Sequence, residues 1–164
     1  MFRTFFLTGI LIWLAVPRSQ SQAQSATGQC VAFVVHKSSP LNNVSLDELR
    51  KICLMEKTVG PDGQKFKVLM REPKQPERDA VLREIFRMSD AEYNRHFLQA
   101  VFTGAIQAAP KQIGSSAAVK SFVASTPGAV GYVRGDELDD KVKPLRVNGK
   151  SPGDADYPLK LTVK

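Results

Sequence analysis

Apolar residues fall along the chain in short runs, set apart by polar breaks rich in proline, glycine and serine. Val31-Ala32-Phe33-Val34-Val35 is continuous and mostly β-branched, which predicts a strand covered on both faces. Ser38-Ser39-Pro40 ends it. Ser45 and Glu48 have capping-box spacing, and Leu46, Leu49, Ile52 and Cys53 recur behind them at helical steps, so a helix starts at Ser45. After a turn at Pro61-Asp62-Gly63, Phe66 to Met70 predicts a second strand. Glu77 to Met88 predicts one helix, with Val81, Leu82, Ile85 and Phe86 on one side. A second capping box, Ser89 with Glu92, opens another helix that carries Tyr93, Phe97, Ala100 and Val101 and stops at Gly104.

Ala105 to Gln112 reads as a loop, and a further helix follows Gly114-Ser115-Ser116 with Val119, Phe122 and Val123 apolar. Pro127-Gly128 ends that helix, and Ala129 to Val133 predicts a strand. Val142 to Val147 and Leu159 to Val163 predict two late strands, the first confined to a sheet edge by Pro144. Strands alternating with helices give an α/β fold.

The chain starts differently. Arg3, an uncharged and largely apolar run from Thr4 to Val16, Pro17 and the small residues of Ser21-Gln22-Ala23 form a signal-peptide pattern over residues 1–23. The run falls short of the ~20 apolar residues of a membrane span, although Arg18 leaves an uncleaved anchor as the alternative. Cleavage makes residues 24–164 a single domain in the periplasm or outside the cell. Export permits a disulfide between Cys30 and Cys53; the other reading is two separate buried small hydrophobes.

A hydrophobic share of 43% with 24% charged residues excludes a disordered chain, and 2 cysteines exclude a disulfide-dense miniprotein. The net charge of +7 favours anionic partners without demanding nucleic acid, because the cations lack the aromatic interleaving of a strand binder. His36 and His96 stand in no metal spacing, and no phosphate-loop glycine pattern or Gly-x-Ser-x-Gly elbow is present. A binding protein without catalytic residues, metal or cofactor is expected.

The most informative stretch is Met70-Arg71-Glu72-Pro73-Lys74-Gln75-Pro76-Glu77-Arg78, where a buried strand gives way to an arginine and then a helix start. Arg71 offers two parallel hydrogen bonds to a phosphate, sulfate or carboxylate, with Lys74, Gln75 and Arg78 assisting. The alternative is a surface loop in which Arg71 pairs with Glu72 or Glu77. Gly114-Ser115-Ser116 has similar helix-start chemistry, with an ordinary serine cap as its plainer reading. Ser38 and Ser39, at the end of the first strand, are weaker candidates on the expectation that ligands sit outside the carboxyl ends of strands.

Val31 to Pro40 followed by Ser45-Leu46-Asp47-Glu48-Leu49-Arg50-Lys51-Ile52, then Thr126-Pro127-Gly128-Ala129-Val130-Gly131-Tyr132-Val133, then Val147-Asn148-Gly149-Lys150-Ser151-Pro152 with Tyr157-Pro158-Leu159, resemble in order the elements of the phosphate ABC transporter substrate-binding protein family. The resemblance implies one periplasmic-binding-protein-like lobe with a mixed β-sheet flanked by helices. It also implies a phosphate or related oxyanion ligand at Arg71, and an inner-membrane ABC transporter as partner. The family's Ser-Gly-Thr after that arginine is replaced here by Gln75-Pro76-Glu77, and Pro76 has no N–H to give. The rival expectation is a reduced lobe that has lost oxyanion binding and docks on a protein partner.

Overall fold

A computed structural model describes residues 29–161; the predicted signal peptide lies outside the described residues. The strands are β1 (Val31–Val35), β2 (Asn43–Val44), β3 (Lys67–Arg71), β4 (Lys111–Ile113), β5 (Ala129–Arg134), β6 (Lys143–Pro144) and β7 (Arg146–Val147). The α-helices are α1 (Leu46–Cys53), α2 (Pro76–Val81), α3 (Asp90–Phe102) and α4 (Ser116–Ser125). The main sheet runs β4-β3-β5-β1-β6, and β2 pairs with β7 beside it. β3 is parallel to β4 and β5, whereas β1 is antiparallel to β5 and β6, so the sheet is mixed.

The central strands read as unbroken apolar runs because both faces are covered. Alternate residues separate cleanly. Phe33 and Val35 of β1, Val68 and Met70 of β3, and Val130 and Tyr132 of β5 pack with Leu49, Ile52, Phe86, Tyr93 and Phe97. Val34, Leu69, Ala129 and Val133 turn to the other face, against Val119 and Val123 of α4. Gly131 lies under α4, where an added Cβ would stand 2.8 Å from Val119 Cγ1 and 3.2 Å from Leu69 Cδ1. Gly128 before β5 has φ +80°, and a Cβ there would meet the Lys65 carbonyl oxygen at 2.4 Å. That close approach lets Lys67 N–H donate to the Gly128 carbonyl at 2.9 Å, which starts the pairing of β3 with β5.

Both capping serines accept from the expected backbone N–H. The box closes only at Ser89, where Glu92 returns a bond to the Ser89 N–H; Glu48 is drawn instead to Lys57. The single helix expected over 77–88 is α2 followed by a π-helical turn, Leu82–Phe86. Arg87 stops it in the left-handed region at φ 54°. Lys111 and Gln112, at the end of the loop expected over 105–112, join Ile113 in edge strand β4. The strand expected over 142–147 divides around the fully buried Leu145, with Lys143–Pro144 on β1 and Arg146–Val147 on β2. The last expected strand is reduced, among the described residues, to a bridge between Cys30 and Lys160. No helix among them is long and apolar enough to cross a membrane.

Replacing Gly131 with alanine forces α4 off the sheet, and its cost follows overpacking, about 1–3 kcal/mol. Urea unfolding of Gly131→Ala will show a lower midpoint at an unchanged m-value; an unchanged midpoint would contradict the contact.

Candidate functional site

Arg71 ends β3 and is only 5% exposed. Its backbone N–H donates to the Tyr132 hydroxyl at 2.9 Å, a bond from the side chain of the neighbouring strand. Its guanidinium donates through Nη1 to Ser116 Oγ at 3.0 Å and through Nη2 to Gln75 Oε1 at 3.3 Å. Nε is buried and has no hydrogen-bond partner. Among the described residues no carboxylate pairs directly with Arg71. Its charge is answered at one remove, because Ser116 Oγ donates to Glu137 Oε2 at 2.5 Å.

This arrangement joins two stretches that looked separate in the sequence. Gln75 caps the start of α2, and Ser116 is the first residue of α4 after the cap Ser115. Both side chains meet at one guanidinium. Nη1 is anchored on Ser116, which fixes the plane of the group. Nε and Nη2 form its other edge, the one that gives two parallel bonds to a tetrahedral or planar oxyanion. Nε is empty there and Nη2 is held by one long bond. The surface-loop reading, with Arg71 paired to Glu72 or Glu77, is not what the structure shows: Glu72 lies against Gly114, its Oε2 3.0 Å from where a Cβ would be. Glu77 is buried with Oε2 unpartnered.

Arg78 is fully buried. Nη1 donates to the Arg71 carbonyl at 2.7 Å, Nε donates to Asp90 Oδ1 at 2.7 Å, and the guanidinium lies 4.9 Å from the Tyr93 ring centroid. It therefore holds the strand end that presents Arg71. Lys74 is exposed at φ 69°, at the turn of the loop.

Ser38 and Ser39 are elsewhere, which corrects the expectation that both carboxyl strand ends share a side. β1 runs antiparallel to β5 while β3 runs parallel to it. Val35 and Val68 both stand level with Val130, and from there the chain runs to Ser38 in one direction and to Arg71 in the other. Ser38 Oγ contacts His36 Nδ1 at 2.7 Å, and Ser39 Oγ accepts from Leu41 N–H at 3.3 Å. Neither serine reaches Arg71.

The permitted disulfide is absent: Cys30 and Cys53 are both buried thiols. Cys30 precedes β1 near Gly153 and Tyr157, whereas Cys53 closes α1 near Tyr93. Burial pushes the Cys53 thiol up to about 12. The Tyr93, Tyr132 and Tyr157 hydroxyls also rise, first through burial.

Sequence reasoning missed Tyr132, Glu137 and Asp90. Tyr132 carried a signal, as a polar-tipped aromatic in the apolar run of β5 that needs a partner when buried. Glu137 and Asp90 are reached only through tertiary contacts.

Three solved structures share the architecture. One is a Clostridium perfringens protein described as a phosphate ABC transporter substrate-binding protein, with phosphate bound. It superposes with a TM-score of 0.61 at 22% identity, over 76% of this chain and 47% of its own. The chain has a periplasmic-binding-protein fold. An ABC-type phosphate transport receptor from Vibrio cholerae gives 0.61 at 20% identity, covering 76% of this lobe and 48% of the receptor. PstS from Borrelia burgdorferi gives 0.61 at 16%, covering 88% and 62%. The lobe thus spans about half the length of the first two. At these identities the likeness is one of fold. No protein-family profile matches the sequence, and no curated protein matches it.

Two outcomes follow. Asp90→Asn leaves the buried Arg78 without its carboxylate, and thermal and urea unfolding will show a loss of about 1–3 kcal/mol. Alkaline stability follows from the thiol. The unfolded chain releases the Cys53 proton near the ordinary 9.0 and the folded chain near about 12, so stability is full below pH 9 and falls as pH rises toward 12. The unfolding free energy of Cys53→Ala, measured across that window, will fall less steeply than that of the unaltered protein.

Proposed function

We propose that this protein binds phosphate or a related oxyanion through Arg71, as an exported solute-binding protein without catalysis. The observation that carries the reading is the guanidinium itself: a nearly buried cation with Nη1 fixed on Ser116, Nε unpartnered and, among the described residues, no direct carboxylate partner. A buried charge needs a counter-charge, and the Nε–Nη2 edge supplies two parallel donors for one. The oxyanion displaces the long Gln75 bond and turns the amide so that its NH2 group donates to the ligand. The start of α4 adds backbone N–H groups beside Ser116. Lys74 steers the ligand from its exposed position, and Arg78 acts by holding the Arg71 carbonyl.

The fold shared with phosphate-transport proteins supports this ligand class, and transfer to an ABC transporter is the corresponding role. Export is read from the sequence pattern of residues 1–23. Replacement of the resembled Ser-Gly-Thr by Gln75-Pro76-Glu77 removes donors from the site, since Pro76 has no N–H to give.

Calorimetric titration of the protein with phosphate, sulfate and molybdate at low salt tests the reading. Phosphate heat that disappears in Arg71→Ala is expected. Gln75→Glu will also abolish it, by placing a carboxylate on the free edge of Arg71. Undiminished phosphate binding by Arg71→Ala would refute the assignment.

A further inference from the structure

The end of the main sheet remote from Arg71 holds a cavity of about 540 Å³, within the ~300–1,000 Å³ of small-ligand pockets. Strand pairing fixes its place. Lys143 of β6, which lines it, stands level with Val35, where β1 runs on toward Ser38, and Arg71 lies the other way along the sheet. Leu138, Pro144 and Pro152 give the cavity apolar walls. Its polar lining has hydrogens to spare. Lys143 Nζ donates to the Ser39 carbonyl and, at 3.0 Å, to Asn42 Oδ1, and keeps a third N–H. Asn42 is left with its NH2 group as donor. Arg146 is exposed, and among the described residues its guanidinium has no ion-pair or hydrogen-bond partner. Among the same residues no carboxylate lines the cavity. The acids of the flanking loops are taken up elsewhere: Glu137 by Ser116, Asp139 by Lys120, Asp154 by the Ser151 N–H and Asp156 by Lys150. Asp140 is exposed and is not part of the lining.

We infer that this cavity binds a small organic anion, an acid group borne on an apolar body. Two cations line one space with no carboxylate beside them, so their charge is unanswered there. An acid group answers it, taking the planar fork of Arg146 and the third N–H of Lys143. Asn42 adds a neutral donor, and its own oxygen is already held by Lys143. The walls choose the rest of the ligand. Inorganic phosphate or sulfate fills a small part of the space and leaves Leu138, Pro144 and Pro152 wet. A ring or short chain covers them, and apolar area leaves the water. The cavity is separate from the Arg71 site, and its ligand does not depend on oxyanion binding there.

The test reads the cavity itself, from the backbone amide resonances of Arg146 and Ser151 in the isotope-labelled full chain. Benzoate and phenyl phosphate carry two different acid groups on one ring. Benzyl alcohol keeps the ring without the acid, and inorganic phosphate the acid without the ring. Benzoate, phenyl phosphate or both will shift the two amides saturably, at concentrations where benzyl alcohol and inorganic phosphate do not. A response to one acid alone names the acid group. Arg146→Gln will weaken the binding at least about tenfold, by removing the charged fork. The Arg146 side chain is exposed, so this variant keeps its fold, and unchanged amide positions in the rest of the spectrum show it. No saturable shift with either acid overturns the inference. So does an equal response to benzyl alcohol, an equal response to inorganic phosphate, or undiminished binding by Arg146→Gln.

Discussion

Arg78 is an arginine at zero exposure, and the arrangement around Arg71 depends on how its charge is met. Three groups meet it: the Arg71 carbonyl at the end of β3, the Asp90 carboxylate at the start of α3, and the Tyr93 ring one turn further on. One belongs to β3 and the other two to the first turn of α3. Removing an arginine from water is unfavourable unless its donors are satisfied, so these elements are constrained to keep their relative positions. Asp90 remains partly in solvent, with 45% of its side chain exposed. The carboxylate therefore keeps much of its hydration while still compensating the buried partner. The consequence for Arg71 is a fixed main chain, and a fixed main chain leaves only its side chain to adapt to a ligand.

The strands and most helices were legible because their signals are local. Val31 to Val35 and Ala129 to Val133 are unbroken apolar runs, and such runs are stable only between two covered faces. The two serine caps were legible for the same reason, since a hydroxyl and the N–H it accepts are three residues apart. Where the reading failed, the deciding partner was distant. β4 is a three-residue strand that, among the described residues, pairs only with β3, and nothing in Lys111-Gln112-Ile113 requires an extended chain. The division of residues 142–147 turns on Leu145 filling the core, a matter of volume and not of pattern. The π-helical turn after α2 fits Leu82, Ile85 and Phe86 into the core together, where a regular helix was expected.

At the site, Arg71 and Gln75 were legible as chemistry and Ser116 as a helix start, but their convergence was not. Parallel pairing of β3 with both β4 and β5 brings the residues after β4 to the end of β3, and no local spacing encodes that. The placing of Ser38 and Ser39 with Arg71 failed for a related reason. Strand direction is invisible in an apolar run, and a β1 reversed relative to β3 sends its carboxyl end to the opposite side. Arg78 shows the limit of reading charge from sequence, because an arginine on a short helix gives no sign that it will be the largest fully buried side chain.

The two outer strands of the main sheet are both very short, three residues in β4 and two in β6. An open sheet offers unpaired N–H and carbonyl groups along its borders, which is the usual starting point for sheet-to-sheet aggregation. Here β6 ends in a proline that has no N–H to offer, and β4 begins with a lysine that resists a close neighbour. Among the described residues the main sheet therefore leaves little main chain for another copy to extend. Association through the sheet is limited at those borders, and one of them, β4, pairs directly with Arg71 through Ile113.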